Sequence, residues 1–437
     1  MSQPQEIPVN KAHFLDGADQ VRNTGPAWAQ AIRAKSAARF AELEFPHRKM
    51  EEWRFTNITP ILRTPFSPAA ANVSQVTVED IAPFRYDGKG AELVFVDGHF
   101  SESLSRMPGG ITALGLANAL TTHEVLIEPH LGHYLNGTSN AFAALNTTFL
   151  ADGAFVHIEK DTASEAPIYL LFVNTKRDGT VAYPRNLIVL EPGAKADIVE
   201  SHVCLEDGPK YFTNAISEVA VGENASLHLH KLIHESPEAY HLATTKVRVD
   251  RGGTFKSHAI SQSGKIIRNE INVLLDGDGA HTSLHGLYMT SGDQLVDNPT
   301  SIEHAKPQCT SWIGYKGVLD DKSHAVFSGK VYVHRVAQKT DSNQLNQNLV
   351  LSDKATIDTK PLLEIFADDV KCTHGATVGR PPDELVFYFR TRGMSEAMAL
   401  GMLTYGFADE VVNQIEIDAV RTRLERFVYN KYSPIPG

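Results

Sequence analysis

The stretch NEINVLLDGDGAHTSLHG, from Asn269 to Gly286, is an alternating run, a turn of aspartate and glycine, and a second alternating run. Five further segments follow the same sketch: NLIVLEPGAKADIVESH from Asn186, AISEVAVGENASLHLHK from Ala215, ATTKVRVDRGGTFKSHA from Ala243, IGYKGVLDDKSHAVFSG from Ile313 and NQNLVLSDKATIDTKP from Asn346. A half copy, GAFVHIEK, begins at Gly153. Alternation with β-branched residues predicts strands. The small residue after each turn falls at 194, 225, 253, 280, 323 and 355, in steps of 31, 28, 27, 43 and 32 residues. The long step holds SGDQLVDNPTSIEHAKPQ, which reads as an inserted loop.

A turn roughly every thirty residues, with no helical pattern between, predicts stacked coils. A β-sandwich turns about every 8–12 residues and has no use for the longer period. A solenoid requires it, because each coil buries its inward face against the next. The fold expected is therefore mostly β, with a β-helix core whose ends need capping, since an unpaired strand edge invites association.

Outside the repeat the pattern turns helical. GPAWAQAIRAKSAARFAELEFP, from Gly25, places Trp28, Ile32, Phe40 and Leu43 near one helical face, with Pro46 after its end. Residues 50–135 mix short apolar runs such as AELVFVDGHF with loops. After Pro381 and Pro382, DELVFYFRTRG closes at Gly393 and SEAMALGMLTYG opens on Ser395 as an N-cap. EIDAVRTRLERFVYNKY then carries Val420, Leu424, Phe427 and Val428. The organisation expected is an N-terminal helical and mixed region over 1–135, the β-helix core over 136–379 and a C-terminal helical domain over 380–437.

Composition narrows the function. The chain has 437 residues, 42% hydrophobic and 21% charged, an ordinary soluble balance. The net charge of −11 disfavours attraction to nucleic acid or to an anionic membrane surface. No apolar run approaches the about 18 residues of a membrane span, and MSQPQEIPVNKAHFLDG lacks the order of a secretory signal, so a cytoplasmic location is expected. Cys204, Cys309 and Cys372 are too few and too far apart for a disulfide framework or a four-thiolate site. No Walker A motif, strand-borne GxGxxG or GxSxG occurs, so no ATP hydrolysis is expected of this chain.

The chemistry gathers in DDVKCTHGATVG, from Asp368 to Gly379. On a strand, Cys372 and His374 point the same way, about 6.6 Å apart at a rise of about 3.3 Å per residue. A nearby histidine can lower a thiol's pKa, so the pair suits metal, sulfur or nucleophilic chemistry. The competing reading is a buried cysteine beside a surface histidine. Two ligands are half of an ordinary site, and this one closes the last repeat.

HLHKLIHE, from His228 to Glu235, puts His228 and His230 on one strand face, with His241 nearby. Imidazoles at that spacing can bind zinc or iron. Histidines recur at 157, 202, 258, 285 and 324, which favours exposed or hydrogen-bonded solenoid positions instead. Cys204 and Cys309 read as small buried hydrophobes, and DGDG at Asp276–Gly279 lacks the other ligands of a calcium loop. In the helical tail Phe387, Tyr388, Phe389, Met394, Met398, Met402 and Tyr405 form a stripe beside Arg390 and Arg392. Most of it should be core; what remains has the composition of a docking surface.

KCTHGATVG, preceded by LLEIFADDV and followed by LVFYFRTRGMSEAMALGMLTYGFA, closely resembles the C-terminal signature of the SufD branch of the SufB/SufD family, scaffolds of SUF iron–sulfur cluster assembly. FPHRKMEEWRFTN, from Phe45 to Asn57, resembles the family's N-terminal motif. The resemblance spans essentially the whole chain and is weakest over residues 60–130. It implies a right-handed parallel β-helix between an N-terminal helical region and a C-terminal helical domain. It implies pairing with SufB through the β-helix and with the ATPase SufC through the C-terminal helices, where Phe387, Arg390, Met394, Met398 and Tyr405 are the contacts expected. Cys372 and His374 then sit at the SufB junction, where a transient iron–sulfur cluster forms that this chain alone does not hold. A flavin is linked to such complexes, without a recognisable motif here. Exposed solenoid edges also allow a homodimer in isolation.

Two enzyme readings stand beside the scaffold. A β-helix that processes polysaccharide needs paired carboxylates along a groove, and none is visible. A nucleophile in which His374 activates Cys372 needs a third, orienting group and an oxyanion hole.

Overall fold

The computed structural model describes residues 11–70, 76–86, 90–107, 109–135 and 140–432. Two sheets run the length of its core. One holds Arg185–Leu190, Phe212–Val221, Tyr240–Val249, Ile266–Leu275, Leu295–His304, His324–Val333 and Thr356–Ile365. The other holds Lys195–Cys204, Ser226–His234, Thr254–Ser263, His281–Thr290, Thr310–Leu319, Asp341–Val350 and Lys371–Gly379. The chain alternates between them, and each strand pairs in parallel with the next but one. This is the β-solenoid that the thirty-residue period predicts.

Alternation sends every second side chain inward. In the first sheet Val219, Val247, Val273, Ile302 and Val331 are successive register partners and form one buried aliphatic row. Each such burial is worth roughly 1.5–3 kcal/mol against exposure.

The corner between the sheets repeats in detail. Gly193, Asn224, Gly252, Gly279, Gln308 and Lys339 all have φ between +56° and +74°. Each donates its N–H to a carbonyl in the corner of the following coil, from Gly193 to Glu223 through Lys339 to Asp369. The residue after each one is Ala194, Ala225, Gly253, Ala280, Cys309 or Thr340. The period therefore continues through 309 and 340, and the segments from Ile313 and Asn346 straddle the opposite corner.

The expected inserted loop is a full part of the solenoid. It contains the strand Leu295–His304 and the corner ending at Cys309. Its inward positions include Asn298 and Thr300, and Pro299 stands mid-strand without an N–H to give. The ladder to Ile266–Leu275 is interrupted there, resuming at Ile271 and Thr300. Cys309 takes the place of the alanines before it, fully buried, its thiol directed at the Gly277 carbonyl 3.2 Å away.

Two glycines of DGDG are needed for different reasons. A Cβ on Gly277 would stand 1.9 Å from the Arg251 backbone nitrogen of the coil below, whereas Gly279 has open space and only a positive φ. Gly279→Ala is expected to cost about 1 kcal/mol, and Gly277→Ala about 3 kcal/mol because a backbone must move. Urea midpoints of the two variants check the order.

The two ends of the solenoid differ. At the N-terminal end Glu92–Val96 pairs with Ile168–Asn174 and folds back, through Asp97 and Gly98 at positive φ, onto antiparallel His99–Arg106. Thr112–Gly115 covers Ala154–Ile158 in the same antiparallel manner. At the other end, among the described residues, Thr356–Ile365 and Lys371–Gly379 each have a strand neighbour on one side only.

Helices cover the flanks. Ala27–Glu42 packs on Ala141–Thr148, and Phe40 joins Phe45, Trp53, Phe142 and Phe212 in a cluster outside the first sheet. Trp28 and Ile32 lie instead against a second cluster with Leu116, Leu120 and Phe155. Between them Arg33 is buried, its Nε donating to the Leu150 carbonyl at 2.6 Å.

The C-terminal helices are Asp383–Arg390, Glu396–Val412 and Asp418–Tyr432, with the Ser395 hydroxyl accepting from Met398 N–H as an N-cap. Val411, Val412, Ile415, Val420, Leu424 and Val428 share a core with Val199, Leu232, Ile260, Leu287 and Val318 on the outer face of the second sheet. Among the described residues no helix is long and apolar enough to cross a membrane.

Candidate functional site

Cys372 and His374 lie on the last strand of the second sheet, at inward positions. Their register partners one coil below are Ser342 and Gln344, both buried. With no coil above, Cys372 is half-buried against the end of the core and His374 is exposed. Burial first, and the Asp341 carboxylate second, push the Cys372 thiol pKa up. That is the opposite of the lowering expected from a neighbouring imidazole, and it favours the protonated thiol until a cation or a metal displaces the proton.

The layer beneath this pair is polar. Ser342, Gln344, Asn346 and Asn348 are all buried on one strand. From Ser342 a file of hydrogen bonds leads inward: Ser311 Oγ donates to Ser342 Oγ at 2.8 Å, and His304 Nε2 lies 2.9 Å from Ser311 Oγ. Around the rim Phe366 and Val378 are each 53% exposed. The open end thus combines a thiol, an imidazole, a polar floor, exposed apolar side chains and two strand edges with unpaired backbone groups.

The residues expected at the helical docking surface fall into two groups. The helix Asp383–Arg390 buries none of its residues, and Phe387 is 69% exposed. Arg390 is exposed and pairs with Glu396 at 3.4 Å. Met394 and Met398 are half-buried, and Tyr405 packs toward Asp418–Tyr432 with its ring edge-on to Tyr429. Leu385 and Met402, absent from the expected contacts, are exposed beside them. Their signal was available in the helical spacing of the stripe.

The recurring histidines are not at exposed positions as a class. His228, His230 and His258 are buried on the outer face of the second sheet, and His202 and His241 are buried inside the solenoid. The inner pair belongs to a network that sequence reasoning missed. Glu235 accepts from Tyr211, Asn174 and Thr213 and meets His241 Nδ1 at 3.0 Å. Glu200 pairs with Lys231 at 3.1 Å and His202 at 2.8 Å. Charged residues at inward positions of predicted strands were its only signature.

The motif FPHRKMEEWRFTN clamps onto the first sheet. Trp53 is buried with the Arg268 guanidinium 3.9 Å above its ring, Arg268 pairs with Asp297, and Thr56 Oγ donates to Asp297 at 2.5 Å. Beside it opens a cavity of about 470 Å³, lined by Glu52, Arg268, Glu270, Glu303 and Lys330 among others.

Two family models account for this architecture. The SufBD protein N-terminal region matches residues 11–170, and the domain described as SUF system FeS cluster assembly, SufBD core domain, matches residues 172–407. The chain belongs to the SufBD family. It is 33% identical over 408 residues to an iron–sulfur cluster assembly SufBD family protein of Synechocystis, covering 91% of this chain and 89% of that one. It is 30% identical to the iron–sulfur cluster assembly protein SufD of Escherichia coli, covering 87% of each. The Bacillus subtilis protein of that name is 25% identical over 93% of this chain and 94% of its own. SufBD membership bears out the resemblance carried by KCTHGATVG and FPHRKMEEWRFTN.

Proposed function

We propose that this chain is a non-enzymatic scaffold subunit for iron–sulfur cluster assembly in the cytoplasm. It pairs with SufB through the open end of its solenoid and with the ATPase SufC through the C-terminal helices. The observation that carries the reading is the asymmetry of the ends: one is sealed by antiparallel strands, the other leaves the outer edges of a ten-residue and a nine-residue strand uncovered by any described residue, beside Cys372 and His374. Long uncovered edges are a liability in a free protein and an interface in a complex. A partner solenoid placed there extends both sheets and brings the missing ligands. Iron–sulfur clusters take thiolate and, at some irons, imidazole ligands, and two from this chain make half a set. The cluster is cargo, held while it forms and then released.

SufC docks on the exposed side of Asp383–Arg390 and its neighbour, with Phe387, Arg390, Met394, Met398 and Tyr405 in or behind the contact. ATP binding by SufC acts on the junction only through a difference in affinity for two junction states. Any flavin belongs to the assembled complex. In isolation, two copies of this chain pair through the same edge.

The test is the iron and acid-labile sulfide content of the complex co-expressed anaerobically with SufB and SufC. With Cys372→Ser or His374→Ala, all three subunits are expected to co-purify while iron and sulfide collapse. Unchanged contents would place the cluster elsewhere and leave this chain a mechanical arm for the ATPase. Failure of the complex to assemble would make the pair structural.

A further inference from the structure

We propose that the outer face of the second sheet carries a separate site for one divalent transition metal, with His228, His230 and His258 as ligands. His230 and His258 are register partners on neighbouring strands, and His228 lies two residues before His230 on the same face. One ring nitrogen from each lies within 4.8 Å of the other two. The three residues are 7%, 0% and 3% exposed.

Hydrogen bonding leaves this cluster incomplete. His228 Nε2 and His258 Nδ1 are 2.8 Å apart and share one proton between them. Neither nitrogen of His230 has a partner, and His258 Nε2 has none. Buried polar atoms are nearly always satisfied, so a wholly buried imidazole with neither nitrogen partnered, beside two more whose ring nitrogens lie within 4.8 Å, calls for a ligand. A cation accepting a lone pair from each neutral ring supplies it. Metal–nitrogen bonds of about 2.0–2.1 Å set ligand atoms roughly 3.4 Å apart in a tetrahedral site. Binding opens the His228–His258 hydrogen bond and turns the His230 and His258 rings, which stand nearly parallel with centroids 5.4 Å apart, until their lone pairs converge.

The surroundings fit as well. Asp197 Oδ1 is 3.7 Å from His228 Nδ1, beyond hydrogen-bond distance but near enough for the carboxylate to close onto the ring and orient it when a metal binds. The Asp197 side chain is half-exposed, so this edge also gives access from solvent. Three imidazoles with water in the fourth position select zinc, cobalt, nickel or ferrous iron over the soft or oxygen-seeking metals. The inner group of His202, Glu235 and His241 meets the same distance test, but its carboxylate is already taken by three side chains from outside the group, Asn174, Tyr211 and Thr213. Two residues beyond the site, Leu232 and Ile260 lie under the C-terminal helices, so a metal there fastens two coils where those helices rest.

The experiment titrates Co(II) into the chelator-stripped full chain carrying Cys372→Ser and His374→Ala, which silences the open end. One equivalent is expected to bind with visible d–d absorption and to be displaced by Zn(II). His230→Ala abolishes the spectrum, and Asp197→Asn, as a positioning change at a half-exposed residue, weakens binding about ten- to a hundredfold. Circular dichroism reports whether His230→Ala is folded; if it is not, the Asp197→Asn shift and the volume-keeping His258→Gln decide. A folded chain that binds no Co(II), or binds it equally in all variants, overturns the site and makes the histidines a packed stack. Neither SufB nor SufC is needed, so this outcome is independent of the cluster reading.

Discussion

Acidified from pH 7 toward pH 4, the chain is expected to unfold in one steep step that begins below about pH 6. His241 and His304 are sealed inside the solenoid, both 0% exposed. Burial drives each imidazole down to about 4; for His241 it outweighs the Glu235 carboxylate, which pulls the other way. In the unfolded chain both return to about 6.5. Between those values the unfolded state binds a proton at each ring that the native state refuses. Stability is therefore whole above pH 6.5 and falls as pH drops, by about 1.4 kcal/mol per pH unit for each histidine. The pair removes about 6 kcal/mol by pH 4, where the native rings are themselves half-protonated, against a total stability of about 5–15 kcal/mol for a domain. Below that, Glu200 acts in the same direction. Burial raises its pKa, but Lys231 and His202 hold it at about 2, so its stabilisation is lost as pH falls through the acid range. Urea midpoints at pH 7, 6 and 5 measure the slope, and a flat profile would show that these histidines are protonated in the native state.

Glu218→Gln should cost about 3–5 kcal/mol, the penalty for leaving a buried charge unpaired. Arg185 and Glu218 meet diagonally across adjacent strands on the outer face of the first sheet, both wholly buried and ion-paired. Arg185 also donates to Asn146 and Thr147, and Glu218 accepts from the Gly132 and Tyr134 N–H groups at 2.8 and 3.0 Å. The pair thereby fastens the helix Ala141–Thr148 and the preceding turns to the solenoid. Glutamine keeps the shape and one acceptor but removes the charge, stranding the guanidinium. Replacing both residues, Arg185→Met with Glu218→Leu, should recover only part of the loss, because the two backbone N–H groups then lose their acceptor. Denaturant midpoints of the single and double variants separate these terms.

The solenoid was legible because its corners need a left-handed residue followed by a small one, a local demand that recurs visibly at Gly193–Ala194, Gly252–Gly253 and Gly279–Ala280. Phase was lost at Pro299, where a proline and polar inward residues give a central strand the look of a loop. The histidines at 157, 202, 258 and 324 do hold hydrogen-bonded places, but the burial of the outward ones was not legible, for another reason. Outward positions on a strand share one spacing whether water or a helix covers them, and the cover over this sheet comes from residues 411–428, far along the chain. Cys372 and His374 were singled out by their spacing, their place at the last repeat and the resemblance of KCTHGATVG. The upward push on the thiol comes first from burial against the end of the core and second from Asp341, one coil earlier beside the register partner of Cys372, neither of which spacing within the motif can show.

The stacked corners also bear on how the molecule is made. Partner strands are separated by about one coil everywhere in the core, so no pairing waits for a distant part of the chain, and order can spread coil by coil. Synthesis delivers the sealed end before the open one, giving this propagation a direction. At each stage the growing tip on the ribosome presents two bare strand edges, as the finished end does. The strand Lys371–Gly379 is the last of the solenoid to be made, so the open end exists in its finished form only after every earlier coil has been laid down.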